Sequence, residues 1–319
     1  MSDTCTLSSL AANEPLAATA VENVATWLLI EQDGGWGKKG LDDAPMDDDV
    51  RAHLLAAVSK ANAAAPRSAQ VRPQLVRQEQ SAGTTSSGGA RILVARAGAP
   101  AERVTLPGLR AALDLDVAAW LQGQAPASVE RDTRPLVLVC THGKRDRCCA
   151  EHGLAFYRAL ASRWPSGGAE LPDLWQSTHL GGHRFAATAV TLPDGYQYGR
   201  LSPPDARAFA DAIEAGRLYD LATLRGRSTL PAAAQAADLH LRQSLGLVAP
   251  NEVSVVAMAP GSGDGRWTLT FQAAGALYTV TVERRLGPKS VMNSCGAPEL
   301  SAPASWVARL PNSTKSRHR

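Results

Sequence analysis

The sequence predicts an α/β to α+β protein built from successive units, and three observations carry that expectation. Short apolar runs such as "PLVLV" (135–139) stop after a few residues, as buried parallel strands do. Longer stretches such as "DDDVRAHLLAAVSKANAAA" are patterned as helices, with acids at the start where the helix dipole favours them. A length of 319 residues exceeds what one small core needs, so two or three packed units are expected.

Residues 1–12 read as a flexible arm. A first α/β unit, 13–128, opens with the strand "WLLIEQ" (27–32), the turn "DGGWG" and the helix just quoted. Strands "QLVRQ" (74–78) and "RILVARA" (91–97) flank the linker-like "SAGTTSSGG", and "LDLDVAAWLQG" closes the unit as a helix. The second unit, 133–222, starts with "PLVLV". A helix follows over 149–164, with Leu154, Phe156, Leu160 and Trp164 spaced for one face. "DLWQS" (173–177) is its next strand, and "RFAATAVTLPDGYQYGRL" reads as a hairpin around "PDG". "SPPDARAFADAIEAG" is a capped helix, with Ser202 at the N-cap, prolines in the first turn and Gly216 past the end. That order, β-α-β-β-β-α, is the order of a thioredoxin-like domain. The first unit's order permits a diverged, ligand-free half of the same kind. A small α+β module, 226–310, begins with the helix "AAAQAADLHLRQSLGL" and continues through strands "EVSVVAMA", "RWTLTFQ" and "LYTVTVER". The tail, 311–319, is polar and basic and reads as disordered.

Composition excludes some functions. With 45% hydrophobic and 20% charged residues the chain is an ordinary soluble protein, and a net charge of +3 is too small to argue for nucleic acid or a membrane surface. The opening "MSDTCTLSSLAANEP" has neither a basic nor an apolar signal region, and no apolar run approaches the roughly 18 residues of a membrane span. Five cysteines, three of them within ten positions, suggest metal or redox chemistry in a reducing compartment, not a disulfide framework. A cytoplasmic protein is expected.

Those three cysteines lie in "CTHGKRDRCCAEHG", where Cys140 and Cys149 are separated by eight residues and Cys148 competes with Cys149. Thirty residues after Cys149, "STHLGGHRFAAT" carries His179 and His183. Thiolate and imidazole are strong ligands for borderline transition metals, and both pairs sit at strand ends of one unit. Gly181 and Gly182 rule against a helical H-x-x-x-H and allow a tight loop whose backbone approaches the metal. Structural zinc usually takes cysteines two to four residues apart, whereas eight intervening residues suit a larger object. Ligand type alone leaves zinc and an iron–sulfur cluster on equal footing.

Taken with "WQSTHLGGHRFAATAVTLPDGYQYGRLSPPDA" and "RGRSTLPAAAQAADLHLR", the cysteine segment resembles the sucrase/ferredoxin-like family. The resemblance runs from about Glu14 to about Pro298 and is densest over 135–245. It implies a thioredoxin-like [2Fe–2S] ferredoxin domain in which histidines replace one cysteine pair. The cluster ligands then fall on Cys140, Cys149, His179 and His183. Two neutral imidazoles make such a cluster less negative than four thiolates do. Its potential is therefore expected above the ~−400 mV of plant-type ferredoxins. Each bound imidazole keeps a second nitrogen for a proton, so electron and proton transfer can couple. No paired carboxylates in a glycosidase motif support the word "sucrase".

Around the ligands, Cys148 is expected as a packed thiol or one that supports them from behind. Lys144, Arg145, Arg147 and Arg184 either set the potential, dock an acidic partner, or are solvated loop charges. His142 and His152 are near in sequence but are not expected as ligands, though His142 can support them from behind. Cys295 reads as a residue behind the ligands or as merely structural, Cys5 as an exposed thiol, Trp175 as core or as a step on an electron path to the surface, and the arginines of "RGRS" (225–228) as packing across a unit boundary or binding an anion. No G-x-G-x-x-G after a strand and no P-loop is seen, so an unidentified redox protein partner must load the electron. The competing readings are a zinc-stabilised binding module, a thiol redox enzyme using Cys148 and Cys149, and an iron or redox sensor. Against the thiol enzyme, vicinal cysteines close only a strained ring and no C-x-x-C is present.

Overall fold

The computed structural model describes residues 4–33, 35–79, 89–166, 168, 170–287, 289–296 and 300–310. After a first helix α1 (Cys5–Ala11), one half comprises β1 (Val24–Glu31), α2 (Asp48–Ala64), β2 (Gln70–Arg77), β3 (Ala90–Arg96), β4 (Ala101–Leu106) and α3 (Val117–Leu121). A short β5 (Glu130–Asp132) leads into the other half: β6 (Leu136–Cys140), α4 (Arg147–Ala161), β7 (Asp173–Ser177), β8 (Ala189–Leu192), β9 (Tyr196–Tyr198) and α5 (Ala206–Glu214). Both halves are thus β-α-β-β-β-α. With β10 (Leu224–Arg227) they form one ten-stranded mixed sheet in the order β10-β9-β8-β6-β7-β2-β1-β3-β4-β5. The halves run outward in matching order from β2 and β7, which pair antiparallel at Val76↔Ser177 and Arg77↔Gln176.

Period-two alternation explains why both faces of these strands are apolar. In β1, Leu28 and Ile30 pack under α2 through Leu54, Val58 and Ala61, whereas Trp27 and Leu29 point the other way. In β6, Val137 and Val139 meet Phe156 and Leu160 of α4, whereas Leu136, Leu138 and Cys140 point away. Those opposite faces meet in a shared core: Trp27, Leu29 and Leu93 from the first half, Leu138, Trp175 and Val190 from the second. The candidate ligands Cys140 and Cys149 lie in that shared core.

α6 (Ala232–Leu245) is buried almost all round, which is why it is a run of alanines. Its Leu239 joins the second half's core, and Ala233, Ala237 and Leu241 support the module's own sheet. That sheet is β11 (Val253–Pro260), β12 (Arg266–Ala273), β13 (Ala276–Leu286) and β16 (Ala304–Arg309), in that order. β14 (Val291–Met292) and β15 (Leu300–Ser301) form a separate pair.

Three expectations change. The segment read as a flexible arm holds α1, capped by Thr4 and carrying Cys5 at 0% exposure; it is neither loose there nor does it expose its thiol. β2 begins before Pro73, not after it, because β7 pairs only with Val76 and Arg77, and a proline is tolerated beside so short a ladder. The second unit extends past 222, since β10 completes the large sheet against β9. Most of "SAGTTSSGG" and all of 311–319 lie outside the described residues.

Candidate metal centre

β6 delivers Cys140 at its last residue, and Asp146 starts α4 by accepting the Cys148 N–H at 2.9 Å. This cap sets Cys149 in the first turn of α4, over the end of β6. Close approach of helix and strand is secured at Gly153, where a Cβ would stand 1.9 Å from the Cys140 carbonyl oxygen. β7 ends at Ser177, and the loop after it carries His179 to the same place. One ligand atom each from Cys140, Cys149 and His179 lies within 4.8 Å of the others. The Cys149 sulfur is 3.9 Å from His179 Nδ1.

The loop "HLGGH" is shaped by its glycines. Gly181 and Gly182 both have positive φ, +94° and +68°, a region where L side chains are strained. A Cβ on Gly182 would also stand 2.4 Å from Arg225. Arg225 is 1% exposed and reaches the Gly181 carbonyl at 2.9 Å, Thr19 Oγ1 at 3.1 Å and the Thr19 carbonyl. The buried arginine of "RGRS" therefore braces the histidine loop against the segment before β1. Such burial lowers its pKa to about 9, with Arg184 adding repulsion.

His183 stands one step back from the three converged ligands. Its ring lies beside that of His179, centroids 5.0 Å apart. Its Nε2 is hydrogen-bonded to the Asn293 carbonyl, and its buried Nδ1 has no hydrogen-bond partner among the described residues. Burial, then the neighbouring His179, lowers the His183 pKa, so the imidazole is held neutral with a lone pair on Nδ1.

Both nitrogens of His142 are engaged. Nδ1 accepts from the His179 backbone N–H at 3.2 Å, and Nε2 donates to the Gly37 carbonyl at 2.6 Å. It fixes the backbone of His179 instead of offering a ligand. Arg72 and Gln74 of β2 donate to the His179 carbonyl at 3.0 and 3.4 Å; sequence reasoning missed both, and no local signal marks them. Between the thiols, a hydrogen bond from Cys149 draws Cys140 well below a free thiol, with help from His179 and against burial. Cys149 is raised in turn.

Cys148 turns the other way. Its sulfur is 3.5 Å from that of Cys5 and 3.3 Å from that of Cys295. The Cys5 hydrogen bond draws its thiol down to about 3 against burial, with further help from His152. Lys144 and Arg145 are exposed on the loop before α4, and Arg147, exposed in its first turn, meets Glu151 at 3.4 Å. Arg184 is instead paired with buried Glu14 at 2.7 Å. Trp175 is fully buried, with the Arg91 guanidinium 4.3 Å from its ring, so it serves as core. A cleft of about 360 Å³ opens beside His179, lined by Lys38, Lys39, Arg72 and Arg145. No helix among the described residues is long and apolar enough to cross a membrane.

No curated protein and no solved structure matches the chain. Residues 17–226 match the sucrase/ferredoxin-like family, a span that takes in both halves and all four candidate Cys/His ligands. By that match, the chain belongs to the sucrase/ferredoxin-like family.

Proposed function

We propose that Cys140, Cys149, His179 and His183 hold a [2Fe–2S] cluster, and that the protein is a one-electron carrier working with a separate redox protein. The observation that carries this is the donor set. Two buried thiols face one imidazole, and a second imidazole beside it keeps a buried Nδ1 that has no hydrogen-bond partner among the described residues. A buried nitrogen without a partner is costly unless something binds it, and a metal is the occupant its neighbours suit. The like-ordered halves support a thioredoxin-like reading of each, with ligands kept only in the second.

When bound, the cluster supplies a one-electron couple. With two imidazoles among its ligands, the potential belongs nearer the Rieske range of about −150 to +300 mV than the plant-type value of about −400 mV. The chain's own residues orient the ligands. The Asn293 carbonyl fixes His183 with its proton on Nε2, while His142, Arg72 and Gln74 fix the backbone of His179. The proton on His183 Nε2 is the one whose acidity would follow the charge of the site. The basic cleft at His179 favours an acidic partner surface.

An anaerobic visible spectrum before and after dithionite, with iron, sulfide and zinc assays, tests this. Bands that bleach on reduction, with iron and sulfide in equal amounts, are expected. His179→Cys and His183→Cys should each lower the potential. A colourless protein whose Cys140 site holds zinc would replace electron transfer with a zinc-stabilised binding module.

A further inference from the structure

Three cysteines outside the proposed cluster come together from distant parts of the chain. Cys5 is on α1, Cys148 opens α4, and Cys295 lies in the loop after β14. Their sulfurs form a near-regular triangle with edges of 3.5, 3.3 and 3.6 Å. Asp146 supplies a carboxylate, its Oδ1 3.7 Å from the Cys5 sulfur. One ligand atom from each of the four residues lies within 4.8 Å of all the others.

We infer that Cys5, Cys148, Cys295 and Asp146 form a second, mononuclear metal site for a tetrahedral thiophilic ion, namely zinc. Thiolates ~2.3 Å from a tetrahedral zinc stand ~3.8 Å from each other, and a carboxylate oxygen at ~2.0 Å stands ~3.5 Å from each sulfur. The observed edges need only a few tenths of an ångström of expansion to match. A disulfide would join two of the three sulfurs and leave the third over, which a near-equilateral triangle does not favour. The carboxylate argues against copper(I), which prefers sulfur alone.

Binding releases the protons of the three thiols, so the ion meets three thiolates and one carboxylate. The resulting charge is met locally. Asp146 Oδ1 accepts the N–H of Cys148 at 2.9 Å, and its Oδ2 that of Cys295 at 2.9 Å. The site would clamp α1 and the 291–296 loop onto the start of α4. That loop carries the Asn293 carbonyl that orients His183, so the zinc site would brace the neighbouring centre through a shared piece of backbone. Cys148 and Cys149, adjacent in sequence, would serve different metals.

The inference does not depend on the [2Fe–2S] reading, and one set of proteins separates them. Zinc and iron are measured in the full chain, in the double variant Cys140→Ser/Cys149→Ser, and in Cys295→Ser and Cys5→Ser. About one zinc per chain is expected in the wild type and in the double variant, falling severalfold in Cys295→Ser and Cys5→Ser. Cobalt(II) added to the metal-stripped double variant should give sulfur-to-cobalt charge-transfer and tetrahedral d–d bands. Those bands should be absent when Cys295→Ser is added. Because that protein is read against its own parent, a poorly folding Cys5→Ser does not spoil the test. Zinc that disappears in the double variant would overturn the inference. So would a metal-free wild type in which Cys5, Cys148 and Cys295 alkylate as free thiols, or in which two of them are found as a disulfide. A wild type without iron, together with zinc retained in the double variant, would sink the cluster and leave this site standing.

Discussion

Replacing Gly153 by alanine sets two effects of opposite sign against each other. Gly153 lies inside α4, four residues after Cys149, so both face the end of β6. By helix propensity alone the substitution should stabilise the protein by about 0.8–1.0 kcal/mol. The space is not there. The new Cβ would stand 1.9 Å from the Cys140 carbonyl oxygen and 3.0 Å from its carbon, and real Cβ atoms stop at about 3.0 Å. Helix and strand must therefore separate by roughly 1.1 Å, and the obstacle is backbone, which cannot rotate aside. Overpacking of this kind costs about 1–3 kcal/mol or more, so packing should outweigh propensity. The same movement carries Cys149 away from Cys140, and metal–ligand distances tolerate only about 0.2 Å. Gly153→Ala should unfold at lower denaturant and be purified with severalfold less metal at the Cys140 site. Gly246→Ala is the control. Its φ is +70° with nothing among the described residues within 4 Å, so it should cost about 1–2 kcal/mol of backbone strain and leave metal content unchanged. A Gly153→Ala protein as stable and as metal-rich as the parent would refute the packing argument.

Gly182→Ala adds left-handed strain of about 1–2 kcal/mol and displaces Arg225; iron content should fall more than the melting temperature does. Glu14→Ala strips the buried partner from Arg184. It should cost about 3 kcal/mol, the low end for a broken buried pair because Arg184 keeps some solvent, and proteolysis should then release α1 early. The pH dependence is set on the acid side by Asp132 and Glu102. Burial opposes ionisation of both, yet hydrogen bonds from Arg134 to Asp132, and from Trp120 and Arg96 to Glu102, win and hold both below the usual carboxylate range. Folded-state values below unfolded ones mean stability that is present above about pH 4 and lost as pH falls through the lowered values. Melting temperature should drop below pH 4, and Asp132→Asn should flatten that drop.

The second half was legible because its signals are local: an apolar run, a hairpin turn at "PDG", a capped helix, and ligand pairs at strand ends. Cys140, Cys149 and His179 are brought together as their spacing suggested, and His183 stands beside them. What escaped is what tertiary structure alone creates. Cys5 and Cys295 are 143 and 147 residues from Cys148, and no periodicity connects them. α1, "CTLSSLA", has little apolar pattern and is a helix because Thr4 caps it and its buried face packs. The start of β2 was hidden by Pro73, whose position beside a two-residue ladder could not be read from sequence. Arg72 and Gln74 reach His179 across 107 and 105 residues and look like ordinary strand polar residues on their own.

The matching order of the two halves carries a further consequence. At the end of β1, where β6 has Cys140, the first half has Glu31, and the first turn of α2 offers Asp48 and Asp49 where α4 offers its cysteines. The first half thus has no thiols to give, and its loop after β1 has another task. Trp36 lies edge-on to His142 at 5.9 Å, and the Gly37 carbonyl holds the same ring. One half furnishes the donors while the other roofs them over, as a lid moulded from the same plan. A visitor to the basic cleft beside His179 therefore meets Lys38 and Lys39 of that lid on one side and the donor-bearing loop on the other.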